Sequence, residues 1–282
     1  MDYTTIISAD ELAEIINQDK VRIFDCRFSL KDPQGGLKSY QSGHIPNAQF
    51  ADMDTQLSSA MSPTSGRHPL PNADHFIKQL CDWGVSNDTQ VIAYDDMNGA
   101  FAARLWWMMR WVGHNKVAVL NGGLDKWTEQ GCSLTQDTVE FPKSDFSGEA
   151  NMDWLVDIDT VRSQLEAGKI TLIDARSADR FTAKDQNTDP VPGHIPGATN
   201  LPFGGNLASD GLMQAPEAIK QRFENAIKDR PHDDVVNMCG SGVTACHNLL
   251  AQAVAGMPPM KVFIGSWSQW IKDPSRPVAT GE

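Results

Sequence analysis

Two seven-residue segments, SGHIPNA around His44 and PGHIPGA around His194, lie 150 positions apart. KVRIFDCR begins at Lys20 and KITLIDAR at Lys169, 149 positions later. A third echo is looser: Gly122 stands five residues before Trp127 in NGGLDKW, and Gly265 five before Trp270 in GSWSQW. Three matches in the same order at a nearly constant offset mean two copies of one folding unit. The 282 residues leave room for two domains, each able to bury its own core.

Each copy alternates strand and helix signals. SADELAEII opens on Ser8 with Glu11 three residues on, a capping-box pattern, and Leu12, Ile15 and Ile16 then mark one helical face. VRIF and ITLI predict matching buried strands. TQVIAYD predicts a central strand, AARLWWMMRWV a helix and KVAVLNGG a strand followed by a turn. Such alternation predicts an α/β fold, in each copy a mainly parallel sheet with helices on both faces. Residues 136–151 are rich in Asp, Ser, Lys, Pro and Gly and predict a connector. The expected domains are 1–138 and 152–282, with a linker over 139–151.

The formal net charge of −12 argues against nucleic acid or an anionic membrane as a partner over a broad surface. No apolar run reaches membrane-spanning length. The N-terminal MDYTTIISADELAEIINQ has no basic region followed by an apolar core, so no secretory signal is expected. Cys26, Cys81, Cys132, Cys239 and Cys246 are irregularly spaced, which suits a reducing compartment, expected to be the cytoplasm, better than a disulfide framework.

The chemistry is expected in VVNMCGSGVTACHNLL, Val235 to Leu250. VVNM predicts a strand, and ligands of parallel sheets bind beyond the carboxyl ends of strands. Cys239 follows it directly. Gly240 and Gly242 let the backbone curl with its N–H groups inward, and a helix starting near Val243 adds the partial positive charge of its N-terminus. A cysteine in such a cradle is expected to be ionised and nucleophilic. The bland alternative is a buried structural thiol on a tight βα turn, the better reading of an isolated cysteine; here the strand, the glycine pair, the hydroxyls of Ser241 and Thr244 and the helix start agree on a nucleophile. Laying VIAYDDMNGAFAA on VVNMCGSGVTACH sets Asp95 at the position of Cys239. The first copy is therefore expected to keep the fold and lack the chemistry.

The CGSGVTACH loop, the paired GHIP segments and GSWSQW resemble the tandem rhodanese family over nearly the whole chain. Within it, CGSGVTA resembles the mercaptopyruvate sulfurtransferase branch; the thiosulfate branch has two basic residues where this chain has Gly240 and Ser241. The resemblance implies two rhodanese-like domains, the second catalytic. It implies a sulfurtransferase that moves sulfane sulfur from 3-mercaptopyruvate, through a Cys239 persulfide, to a thiol or cyanide, releasing pyruvate in a ping-pong cycle. Thiosulfate sulfurtransferase on the same cysteine is the alternative. The backbone at Gly240, Gly242, Val243 and Thr244 would hold substrate and persulfide, and Arg180 would bind the donor's carboxylate. Asp54, His68 and Ser241 match a proton relay, although His and Asp in loops are commonly turns and caps. His44 and His194 occur in both copies, which favours a structural role. One departure stands out: the loop TAKDQNTDPVP lacks the second arginine of the mercaptopyruvate branch, and its Lys184 is a point charge without a fork.

The implied partners are a small-molecule sulfur donor and a thiol acceptor such as thioredoxin or a small thiol, with no cofactor. A cysteine phosphatase or arsenate reductase would need arginine six positions after the cysteine, where Ala245 stands. Cys239, Cys246 and His247 do not suit a metal site, because adjacent helical residues diverge. A non-turnover sulfur-carrier or interaction module is the non-enzymatic alternative, and the retained thiol and cradle weigh against it.

Overall fold

The capping box expected at Ser8 is formed: Glu11 N–H donates to Ser8 Oγ at 3.3 Å and Ser8 N–H to the Glu11 carboxylate at 2.9 Å. It starts the first helix of a computed structural model that describes residues 2–281. The chain forms two compact units. One comprises the chain up to Ser59, Leu70–Asn151 and Ser209–Leu212; the other comprises Ala60–Pro69, Met152–Ala208 and the chain from Met213 on.

The first unit runs β1 (Ile6–Ile7), α1 (Ala9–Ile15), β2 (Val21–Asp25), α2 (Gly35–Ser42), β3 (Ala48–Phe50), α3 (Ala73–Asp82), β4 (Gln90–Tyr94), α4 (Ala102–Trp111), β5 (Val117–Leu120) and α5 (Gly123–Glu129). Its sheet has the order β1-β5-β4-β2-β3, and every pairing is parallel. The second unit runs α6 (Ile158–Glu166), β6 (Thr171–Asp174), α7 (Ala178–Phe181), β7 (Thr199–Asn200), α8 (Pro216–Ile227), β8 (Val235–Met238), α9 (Thr244–Val254), β9 (Lys261–Val262) and α10 (Ser266–Trp270). Its parallel sheet has the order β7-β6-β8-β9, the same arrangement as β3-β2-β4-β5 in the first unit. Leu155 makes a single parallel bridge to Val262, where β1 lies beside β5 in the first unit.

β4 and β8 are buried along their whole length. A parallel strand covered on both faces is mostly apolar on both, and the exception in β8, the buried Asn237, is paired with the Gln252 side chain. One core gathers Leu12, Ile23, Ile92, Ala118 and Trp127. Its counterpart gathers Val161, Leu172, Val236, Trp267 and Trp270.

The repeated motifs are buried polar ties. At the end of β2, Arg27 Nη2 donates to Asp25 at 2.6 Å and to the Gly43 carbonyl at 2.7 Å. At the end of β6, Arg176 Nη2 donates to Asp174 at 2.6 Å and to the Gly193 carbonyl at 2.9 Å. A buried pair of this kind loses about 3–5 kcal/mol when one partner is removed, because the other charge stays buried alone. His44 Nδ1 donates to the Tyr40 carbonyl and His194 Nδ1 to the Phe181 carbonyl, both at 2.8 Å, each ring stacked on the aromatic side chain of that residue. The two histidines of the GHIP segments therefore act alike, as clasps.

Residues 139–151, expected as a linker, contain no helix or strand and strap the first unit. Phe146 is buried, Ser144 N–H donates to the Cys81 carbonyl at 3.0 Å, and Asn151 N–H donates to the Trp111 carbonyl at 2.8 Å. Among the described residues no helix is long and apolar enough to cross a membrane.

Candidate active site

β8 ends at Met238, and Cys239 follows as the sequence leads one to expect. The thiol is free and 2 % exposed. Three contacts fix the backbone of Cys239 and Gly240. Cys239 N–H donates to Ser266 Oγ at 3.0 Å, Trp267 N–H donates to the Cys239 carbonyl at 3.1 Å, and Ser268 N–H donates to the Gly240 carbonyl at 2.8 Å. The first turn of α10 is thus the floor of the loop. Ser266 Oγ–H donates to the Phe263 carbonyl at 2.8 Å, which leaves a lone pair for the Cys239 N–H. Ser266 holds φ +52°, a region that side chains rarely adopt. The matched residue of the first copy is Gly123, also at positive φ. Sequence reasoning missed Ser266; its signal is a serine where the other copy has the expected glycine.

The loop must turn sharply to bring its amides round. Gly242 does so at φ +79°, and a Cβ there would stand 2.4 Å from the Ile264 carbonyl oxygen. α9 begins at Thr244 with Val243 as its N-cap, and no side chain caps it, so the loop faces a bare helix N-terminus. Cys246, the other thiol of the motif, is fully buried and donates to the Gly242 carbonyl at 3.3 Å.

Around Cys239 the second unit gathers side chains far apart in sequence. Ser241 Oγ and His68 Nδ1 are hydrogen-bonded at 2.7 Å across 173 residues of chain, both groups buried. His68 lies in the Ala60–Pro69 segment, which is seated by Arg67 N–H donating to Ser268 Oγ at 2.9 Å and by Gln269 Nε2 donating to the Thr64 carbonyl at 3.1 Å. Asp54 belongs to the first unit and is exposed, with its N–H donating to Asp52 at 2.9 Å.

Arg180, in the single turn of α7, reaches Gly240: a Cβ there would stand 2.6 Å from Arg180 Nη2. Asp189 takes the Arg180 fork, accepting from Nε at 2.9 Å and Nη2 at 2.8 Å, and also accepts from Arg176 at 3.3 Å. Asp189, another residue sequence reasoning missed, thus ties both arginines together while only 5 % exposed. Burial works against the charge on Arg176, but Asp174, Asp189 and the nearby Cys239 outweigh it and raise its pKa above the ordinary guanidinium value. Lys184, the cation of the same loop, is exposed.

Comparison with known proteins identifies the family. The Rhodanese-like domain family matches residues 8–130 and again 157–273. A probable 3-mercaptopyruvate sulfurtransferase of Pseudomonas aeruginosa is 44% identical over 284 residues, covering 100% of both chains. A thiosulfate sulfurtransferase of Rattus norvegicus is 33% identical, covering 96% of this chain and 93% of its own. Among solved structures, the 3-mercaptopyruvate sulfotransferase SseA of Escherichia coli superimposes with a TM-score of 0.80 at 34% identity, over 94% of this chain and 100% of SseA. A family match in both halves and a relative aligned from end to end place the whole chain in one lineage: it belongs to the Rhodanese-like domain family, with two copies of that domain in tandem.

Proposed function

We propose that this protein is a 3-mercaptopyruvate sulfurtransferase whose nucleophile is Cys239. The observation that carries the reading is the convergence of a buried thiol, a glycine-curled loop at a helix N-terminus, a His68–Ser241 pair and an Arg180 guanidinium within one unit. The 44% identical relative points to the same donor.

The Cys239 thiolate attacks the sulfur of 3-mercaptopyruvate. An S–S bond forms, the donor's C–S bond breaks, and its electron pair passes to the methylene carbon as the enolate of pyruvate. That carbon takes the proton the donor thiol gives up, and pyruvate leaves. Ser241 and His68 are placed to carry this proton, general acid–base work worth about 10²–10⁴ in rate. The resemblance adds Asp54 to the relay, and Asp54→Asn tests it by its effect on kcat. The loop amides and the start of α9 hold the persulfide anion without reorganising. A thiol or cyanide then attacks the outer sulfur, the S–S bond breaks, and the Cys239 thiolate returns. Thioredoxin or a small thiol in a reducing compartment such as the cytoplasm suits five free cysteines.

The first copy is proposed to be inert, since Asp95 stands where Cys239 would be needed. Intact-mass measurement after donor addition is the test: one sulfur atom is expected on the wild type and none on Cys239→Ser. An adduct on the serine variant would refute the assignment. Thiosulfate remains the second reading, because two guanidinium groups near Gly240 also suit a dianion. Side-by-side kcat/KM for the two donors decides between them.

A further inference from the structure

Two guanidinium groups, not one, approach the residue after the nucleophile. The position a Cβ would take on Gly240 is 2.6 Å from Arg180 Nη2 and 3.4 Å from Arg67 Nη2. The two arginines come from separate segments of the second unit, α7 and Ala60–Pro69. Only a residue without a side chain allows both to come so near the loop backbone.

Arg180 gives Nε and Nη2 to the Asp189 carboxylate, so its charge is balanced on the spot and its orientation is fixed. Arg67 is half-buried, and its backbone is tied to Ser268 Oγ at 2.9 Å beside the His68–Ser241 pair. A donor with one carboxylate must find positive charge within reach of Cys239. The 182–192 loop supplies none beyond the exposed Lys184, and sends Asp189 inward instead.

On the basis of the sulfurtransferase reading, we propose that Arg67 is the second cation of the donor site and, with Arg180, seats the donor's carboxylate over Gly240. A planar guanidinium can meet a carboxylate with two parallel hydrogen bonds, which an ammonium cannot reproduce. Arg67 sets donor affinity, and the His68–Ser241 pair beside it acts on the proton.

The test compares the full-length wild type with Arg67→Gln and Arg67→Lys. Arg67→Gln is expected to raise KM for 3-mercaptopyruvate about 10- to 100-fold, the loss of one or two charge-assisted bonds. Inhibition by pyruvate should weaken in proportion, while kcat and the sulfur loaded at saturation stay close to wild type. Arg67→Lys should fall between. A merely structural role would lower kcat or the loading stoichiometry and leave the KM-to-pyruvate correspondence broken. Unchanged KM and pyruvate inhibition in Arg67→Gln would overturn the proposal. If that variant fails to fold, Arg67→Lys decides: a raised KM at wild-type melting temperature supports it, an unchanged KM overturns it. Wild-type protein that takes no sulfur from mercaptopyruvate would sink the functional reading instead. Arg67 is then judged by the same variants with thiosulfate, whose dianion meets the same two groups.

Discussion

The loop after β4 and the loop after β8 are built on one backbone plan and end in opposite contents. In the first, Asp95 is fully buried and its carboxylate fills the loop. Oδ1 accepts from the N–H groups of Met97 and Gly99 at 2.8 Å, and Oδ2 accepts from Phe101 at 2.7 Å and Ala102 at 2.8 Å. Burial pushes the Asp95 pKa above the usual carboxylate range, while the four amides pull it back toward the ionised form. The turn is alike too: Asn98 has φ +55° where Gly242 has φ +79°. The amide cradle that sequence reasoning assigned to Cys239 is thus visible in the first copy, already holding an anion that belongs to the chain. In the second copy a thiol stands at the same place, and in the proposed reading the cradle serves the sulfur it would carry. The difference teaches that the turn comes with the fold in both copies, while the side chain placed in it differs, a carboxylate in one and a thiol in the other.

The largest effect should separate those two contributions. Cys239→Ser is expected to abolish pyruvate release. Adding Asp95→Cys to that background should not restore it, since Asp96 and Met97 stand where Gly240 and Ser241 are needed. Restored turnover would mean that the amides suffice by themselves. Next in size, Ser241→Ala is expected to lower kcat by about 10²-fold by breaking the relay to His68, with little change in KM. An unaffected kcat removes the pair from the proton path. Arg180→Ala should then raise KM for mercaptopyruvate about 10- to 100-fold through loss of charge-assisted bonds; an unchanged KM removes Arg180 from the donor site.

Two smaller effects probe the first copy and the floor of the second. Asp95→Asn turns an NH2 group toward amides that donate, and should cost about 2–4 kcal/mol in denaturant unfolding while leaving kcat/KM nearly unchanged. A large loss of turnover without loss of stability would show that the first copy is not inert. Ser266→Gly writes the first copy's residue into the second. Relief of the positive φ and loss of the bond to Cys239 N–H are each worth about 1 kcal/mol, so net stability should move by less than that. The residual effect on kcat then measures how far the serine holds the cysteine in register.

Much of this molecule is written in local pattern. The Ser8 capping box, the mainly apolar strands β4 and β8, and the glycine pair after Cys239 each fix a short stretch by sterics and hydrogen bonding among near neighbours. Asp189, Ser266 and Arg67 escaped notice because nothing beside them in sequence sets their partners. Each looks like an ordinary loop residue until the chain returns from far away.

By itself, then, the sequence determined the duplication, the parallel α/β plan of each copy, the cysteine at a strand's end and the carboxylate that replaces it. Periodicity and turn chemistry act over a few residues, and the repeat offset is plain arithmetic. Only the tertiary structure decided that Ala60–Pro69 joins the second unit, bringing His68 to Ser241 across 173 positions and Arg67 to within 3.4 Å of the Gly240 Cβ site. Contacts of that separation are set by the packing of whole elements, whose burial outweighs any local preference of the residues that meet.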